Sequence, residues 1–316
     1  MKSLNLKIKL SRLDDILGFL FFIYLIMLLL LHGLVFFIIS IIFLIISSNS
    51  FASCIESKSK SNIVVAGGSI TEIIYFLKAE KNLIGVDITS NYPKEAKKLP
   101  SIGYIRNLSI EGILSLKPDL ILAEEDIGPP VIKEQLKNTS IDFRIIQDDF
   151  TEDGINNKIL CISNILNLKL DENVNYKNFN QNLKSLKKIK KENLYNQKKI
   201  LIILMMKGTS PIVAGNNTSG DGFINMLGHL NIMNEVNGWK PVSYEEILLS
   251  NPDYIIITER AFRDFSSLDA LLSIPGIAST TAGKNKNIIV KDGMSILGFG
   301  PRTIEQSIDI SQILNR

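Results

Sequence analysis

Cysteine and histidine are nearly missing from this chain of 316 residues, which has two of each: Cys54 and Cys161, His32 and His229. Two thiols cannot build a disulfide framework or a zinc cluster, and two imidazoles leave little for a histidine-based metal site. A dominant charge is missing as well. Lys and Arg number 35 against 32 Asp and Glu, a net +3. Residues 1–53 carry four Lys/Arg and two Asp, hence +2, which leaves the remainder near +1. That balance argues against nucleic acid as the main partner. No apolar run after residue 46 approaches the length of a membrane span, which excludes a multi-span protein. The density of Ile and Leu excludes disorder. Nor is there a G-x-S-x-G elbow, a Walker loop or an H-E-x-x-H pair, and no two carboxylates are spaced for acid–base work. The expected class is a binding protein, not an enzyme.

One segment lacks charge altogether. From Ile16 to Ile46 no residue is charged, and the next charge after Asp15 is Glu56. Lys2, Lys7, Lys9 and Arg12 precede it, the basic flank of a segment that engages the export machinery. As a helix it would extend about 46 Å against a hydrocarbon core of about 30 Å, longer than a usual signal-peptide core. Cleavage near Ala52 and a retained membrane anchor through residues 16–46 are both open. Phe51-Ala52-Ser53-Cys54 resembles a weak lipoprotein box, which leaves Cys54 as either a lipidation site or a free thiol. Under each reading the rest of the chain is exported, and a periplasmic location is expected.

Beyond residue 60, short apolar runs alternate with helical stretches, the pattern of a parallel α/β sheet. Asn62–Ala66, Leu83–Asp87, Leu120–Ala123 and Phe143–Ile146 form a first set of strands. Lys199–Leu204, Tyr254–Ile257 and Asn287–Val290 form a second. Ser69 is expected to cap a helix over Ile70–Lys78, with Glu72 in its first turn. Between the sets, Asp171–Asn193 has helical period, no Gly or Pro, and a Lys-rich face that reads as solvated. The expected domains are a leader or anchor over 1–53, an N-terminal lobe over 61–170, an interlobe helix over 171–193 and a C-terminal lobe over 194–316. The fold class is α/β: two Rossmann-like lobes joined by one long rigid helix, with a ligand cleft between them.

The two halves echo each other. Ser109, Glu111, Ile113-Leu114, Pro118 and Asp119 recur at identical offsets as Ser243, Glu245, Ile247-Leu248, Pro252 and Asp253. Each unit reads as a capped short helix, a Pro-Asp turn and a buried strand. Two related lobes follow from that duplication.

Chemistry is sparse. The Gly67-Gly68-Ser69 turn could hold an anion on free N–H groups, though a tight strand-to-helix connection is the favoured reading. Leu99–Leu108 places Gly103, Tyr104 and Arg106 in one loop. A phenolate is a hard oxygen ligand, and tyrosine serves as an axial ligand to haem iron. A guanidinium two residues away can pair with a carboxylate. A loop tyrosine that simply packs is the alternative.

From Asn62 onward the chain resembles the haem-binding proteins of bacterial haem ABC importers, within the cobalamin and siderophore class of substrate-binding proteins. The resemblance rests on Val65-Ala-Gly-Gly-Ser-Ile-Thr-Glu72, Gly85-Val-Asp-Ile-Thr-Ser90, Leu99-Pro-Ser-Ile-Gly-Tyr-Ile-Arg-Asn-Leu-Ser-Ile-Glu-Gly112 and Leu116-Lys-Pro-Asp119. It continues through Ala214-Gly-Asn-Asn-Thr218, Pro275-Gly276, Thr281-Ala-Gly-Lys284 and Leu297-Gly-Phe-Gly300.

The resemblance implies haem as the transported ligand and an ABC permease as partner. It makes Tyr104 the axial ligand to the haem iron, with Arg106 beside it. Lys207 stands where some members carry a histidine, which puts a second axial ligand in doubt and suggests a propionate contact for Lys207 instead. Met205 and Met206 read as packing residues, His229 as structural, and Tyr92 as a second phenol near the rim. Glu111 and Glu245 match the pair of glutamates, one per lobe, that dock onto permease arginines. The rival reading is a binder of ferric siderophore or cobalamin on the same scaffold, and a membrane-tethered α/β enzyme ranks lower.

Overall fold

The structure, a computed structural model, describes residues 27–37, 54–208 and 210–315, with the backbone alone at Lys207. The chain divides into two compact units, Met1–Ser53 and Cys54–Arg316. In the first, residues 27–37 are helical. The basic flank, the cleavage position near Ala52 and most of the 16–46 run lie outside the described residues. Among the described residues no helix is long and apolar enough to cross a membrane.

The second unit holds its own cores. Its first strand, β1 (Ile63–Ala66), is buried at every residue, as a continuous apolar run requires of a central parallel strand. After β1 come α1 (Gly68–Phe76), β2 (Leu83–Val86), and a small hairpin of β3 (Gly103–Tyr104) and β4 (Asn107–Leu108). Next are α2 (Ile110–Ser115), β5 (Leu120–Glu124), α3 (Pro130–Lys137), β6 (Asp142–Ile146) and α4 (Glu152–Ile165). The sheet order is β2-β1-β5-β6, with every pair parallel. Helix α5 (Val174–Asn193) then leads to the second sheet, burying Phe179, Leu183 and Leu186 at helical spacing. It begins three residues later than the pattern suggests, because Asn173 is the cap and accepts from the Tyr176 N–H at 3.0 Å.

The second lobe comprises β7 (Lys199–Lys207), β8 (Ser210–Ala214), α6 (Ser219–Met226), β9 (Leu230–Asn231), β10 (Trp239–Pro241), α7 (Tyr244–Ser250) and β11 (Tyr254–Thr258). There follow α8 (Glu259–Phe262), α9 (Leu268–Leu272), α10 (Pro275–Ala278), α11 (Thr281–Lys284), β12 (Ile288–Lys291), α12 (Gly293–Leu297) and α13 (Pro301–Leu314). Its sheet runs β10-β8-β7-β11-β12, with β9 also on β7. This sheet is mixed, not wholly parallel. Lys207 pairs with Ser210 across a tight hairpin whose Gly208 sits at φ +61°, and a connection that short can join only antiparallel neighbours.

The sequence echo is a structural one. Ser109 caps α2 and Ser243 caps α7, the latter in a full capping box with Glu246. The residue before each proline, Lys117 or Asn251, turns left-handed at φ 52° and 47°. Asp119 and Asp253 then clamp the first strand of their own lobe. Asp119 accepts from Asn62 N–H at 3.2 Å, and Asp253 from Lys199 N–H at 2.8 Å. Accordingly β5 lies beside β1, and β11 beside β7.

Two local expectations change. Ser69 does not cap α1: the cap is Gly67 at φ +147°, where an added Cβ would lie 2.6 Å from the Glu124 side chain. Cys54 is neither free nor available to a lipid, since it is disulfide-bonded to Cys161 with Cα atoms 4.8 Å apart. A sulfur in that bond cannot also form the thioether of a lipoprotein. The strap after it is fastened too: Ser57 N–H donates to Ile165 O at 2.9 Å and Arg144 Nη1 to Ile55 O at 2.9 Å.

Candidate ligand-binding cleft

In the first lobe β2, β5 and β6 end at one place, and in the second so do β7, β11 and β12. Their carboxyl ends open onto a cleft of about 900 Å³ between the two sheets, where open α/β folds place their ligands. From the first lobe the cleft receives Thr89 after β2, Glu124–Asp126 at the end of β5 and Asp148 after β6. From the second come Leu204 and Met205 of β7, Thr258–Arg260 after β11, and Asp292–Met294 after β12.

The β3–β4 hairpin delivers Tyr104 and Arg106. Cross-strand pairing sets the faces: Tyr104 and its partner Asn107 are exposed while Leu108 is buried, and in the two-residue turn between them Ile105 is buried and Arg106 is exposed on the cleft side. Gly103 opens the hairpin at φ +97°, a conformation that disfavours side chains. Arg106 Nη1 donates to the Tyr104 hydroxyl at 3.2 Å, while its Nε and Nη2 grip Asp126 Oδ2 at 2.9 and 2.7 Å. Tyr104 is 41% exposed, so the phenol is reachable.

The cleft floor carries buried charge. Lys158, from the middle of α4, is fully buried; its ammonium donates to Asp148, to Ser69 Oγ at 2.9 Å and to Phe299 O at 3.3 Å. Glu124 Oε1 accepts from Ser69 Oγ at 2.6 Å and from Ser69 N–H at 3.1 Å. Burial pushes the Glu124 carboxyl up to about 7, against the pull of Lys158 and Ser69. Nearby, Arg302 donates from Nε and its backbone N–H to Glu72, both at 2.8 Å, and from Nη1 to Asp292 at 3.3 Å. Its guanidinium lies 3.6 Å from the Tyr92 ring centroid. Burial also raises the Glu72 carboxyl, with Arg302 opposing.

The cleft thus brings together Tyr104, Arg106, Tyr92 and Met205 from the sequence reading. Lys207 ends β7, and its side chain lies outside the described residues. Glu111 and Glu245 are exposed in the first turns of α2 and α7 and do not line the cleft. His229 is 2% exposed; its Nδ1 accepts from Lys198 N–H at 3.2 Å, and burial lowers it to about 4. That is a structural histidine. Sequence reasoning missed Arg260 and Arg263, which line the second-lobe wall, and the apolar contributions of Phe150 and Trp239. A signal was available, since Thr258-Glu-Arg-Ala-Phe-Arg263 directly follows the apolar run Tyr254–Ile257 at the end where ligands bind.

Comparison with known proteins agrees with this architecture. The periplasmic binding protein family matches residues 63–293. An uncharacterized ABC transporter substrate-binding lipoprotein, YvrC of Bacillus subtilis, is 27% identical over 251 residues, 78% of each chain. A vitamin B12-binding protein of Pectobacterium atrosepticum is 30% identical over 59% of this chain and 67% of its own. The solved periplasmic haem-binding protein HutB of Vibrio cholerae superimposes with a TM-score of 0.71 at 30% identity, over 82% of this chain and 100% of that one. Two lobes, a cleft at the strand ends and this match over most of the second unit lead to one assignment: the chain belongs to the periplasmic binding protein family, the substrate-binding components of ABC importers.

Proposed function

We propose that this protein captures haem in the cleft and hands it to the permease of an ABC importer. The observation that carries the reading is Tyr104, a reachable phenol in the cleft wall whose oxygen already accepts a hydrogen bond from a guanidinium. Ferric haem presents an open axial position to an oxygen anion. The Arg106 guanidinium lies within hydrogen-bond distance of the oxygen that such a bond uses. The remaining walls suit the rest of the ligand. Phe150, Leu204, Met205, Trp239, Met294 and Leu297 offer apolar surface to a flat macrocycle, and Arg260 and Arg263 offer guanidinium groups to its carboxylates. Lys207, at the end of β7, is the candidate for a further propionate contact.

The vitamin B12-binding relatives support cobalamin as the second reading. Cobalamin carries its own nitrogen base for the metal and has no need of a phenolate, so Tyr104 separates the two. The test is an absorbance titration of the 54–316 unit with haemin, beside its Tyr104→Phe variant. We expect a saturable Soret shift with a phenolate-to-iron charge-transfer band in the wild type. The variant should lose that band and bind at least roughly tenfold more weakly, the lower bound for even an outer-shell partner of a metal site. Saturable binding indifferent to the substitution would displace Tyr104 as the ligand. No haemin binding, with cyanocobalamin bound instead, would overturn the haem reading.

A further inference from the structure

We propose that Asp126 is a positioning residue for the ligand bond, holding Arg106 so that its Nη1 points at the Tyr104 oxygen. The inference rests on the haem reading and deepens it. Arg106 is a long side chain on a two-residue turn, and its side chain is 63% exposed; left alone it would sample many rotamers in water. Asp126 removes that freedom. One carboxylate oxygen, Oδ2, takes both Nε and Nη2, which fixes the plane of the guanidinium. Only Nη1 is left over, and it is the atom 3.2 Å from the phenol. The chain Asp126–Arg106–Tyr104 therefore ends at the oxygen that would bind iron.

A purely structural role for Asp126 is poorly supported. The hairpin is already attached to the loop after β5 without it: Gly128 N–H donates to Ile105 O at 2.8 Å, and Leu108 N–H to Gly128 O at 2.9 Å. Ile105, Leu108 and Ile127 are buried beneath the hairpin. An ion pair this exposed adds little to folding stability. Covered by a bound macrocycle and shielded from water, the same pair holds the guanidinium more firmly than it does in the open cleft.

The test is a double-mutant cycle on the 54–316 unit, reading haemin release into excess apomyoglobin and the position of the charge-transfer band. With Arg106 present, Asp126→Ala should release haemin roughly tenfold faster, as expected for a lost hydrogen bond from a charged donor, and should shift the band. Asp126→Glu should restore most of both. With Arg106→Ala in place, the further change Asp126→Ala should do nothing. Thermal unfolding of the apo variants should match the wild type, which separates positioning from loss of fold. Equal effects in both backgrounds would mean that Asp126 touches the ligand itself, and an unchanged release rate and band with Arg106 present would mean that it positions nothing. Either result overturns the inference while leaving haem binding intact. No haemin binding by the wild type would overturn it together with the haem reading.

Discussion

Arginine identity is not enough to say what an arginine does in this cleft; its existing partners decide. Arg302 is committed to Glu72 and Asp292, and Arg106 to Asp126 and Tyr104. Arg260 and Arg263, on and just after α8, have no carboxylate partner among the described residues and remain exposed on the cleft wall. Two unpaired guanidinium groups three residues apart on one helical turn suit a ligand with two carboxylates. The double substitution Arg260→Ala with Arg263→Ala should weaken haemin binding by roughly tenfold to a hundredfold, from lost charge-assisted hydrogen bonds. Haemin dimethyl ester, which lacks both charges, should bind the wild type and the double variant equally. The check is a pair of titrations on each protein. A dimethyl ester that also loses affinity in the variant would mean that these side chains act through packing.

At the scale of elements, the duplicated helix–turn–strand unit has a second consequence. Its helices α2 and α7 carry Glu111 and Glu245 in their exposed first turns, away from the cleft. A hydrogen bond from Ser109 Oγ lowers the Glu111 carboxyl from its usual value. Under the proposed function, these two exposed carboxylates, one per lobe, would meet a pair of cationic pockets on the permease. Reversing both, Glu111→Arg with Glu245→Arg, should leave haemin affinity unchanged and abolish ligand-stimulated ATPase activity of the cognate importer in proteoliposomes. Stimulation that survives would remove the docking role. This unit was legible in the sequence because its information is local: a serine cap, a Pro-Asp turn and an apolar run fall within 14 residues. The strands were legible for the same reason. The β7–β8 hairpin was not, since Met205-Met206-Lys207 continues the strand with no pattern that announces its antiparallel neighbour. Half of the site was equally hidden. Glu72 meets Arg302 across 230 positions, Lys158 reaches the cleft floor from the interior of a helix, and Cys54 finds Cys161 across 107. Such pairings depend on how whole elements pack, which no local pattern records.

At the scale of the molecule, one core runs through both lobes, joining Ile63 and Leu122 of the first sheet, Leu186 of α5, and Ile200 and Ile256 of the second sheet. The polar ties Lys158–Phe299 and Glu72–Arg302 cross the same boundary. Opening the lobes far would expose that core, so ligand exchange has to proceed by small displacements. The pH dependence of stability probes this interior directly. Glu124 is raised to about 7 from a usual 4.5. Between those values the folded state keeps a proton that the unfolded chain has released, so this group's contribution is lost as pH rises toward 7. The full shift corresponds to at most about 3 kcal/mol. His229 works in the opposite direction. Lowered to about 4 from 6.5, chiefly by burial and then by Lys198, it stays neutral in the fold while the unfolded chain takes up a proton. Its contribution is present above 6.5 and lost as pH falls through 4. The two nearly offset each other across the same window, so together they add little to the wild-type slope. Single substitutions should separate them. Glu124→Gln leaves the histidine effect and should make stability fall from pH 7 to pH 5; His229→Gln leaves the carboxyl effect and should make it rise. Urea unfolding of the 54–316 unit at pH 5, 6 and 7 measures all three slopes, and groups common to the three proteins cancel in the differences. Parallel profiles would mean that each group titrates in the folded molecule as it does in the unfolded chain, and that the charged floor of the cleft is open to water.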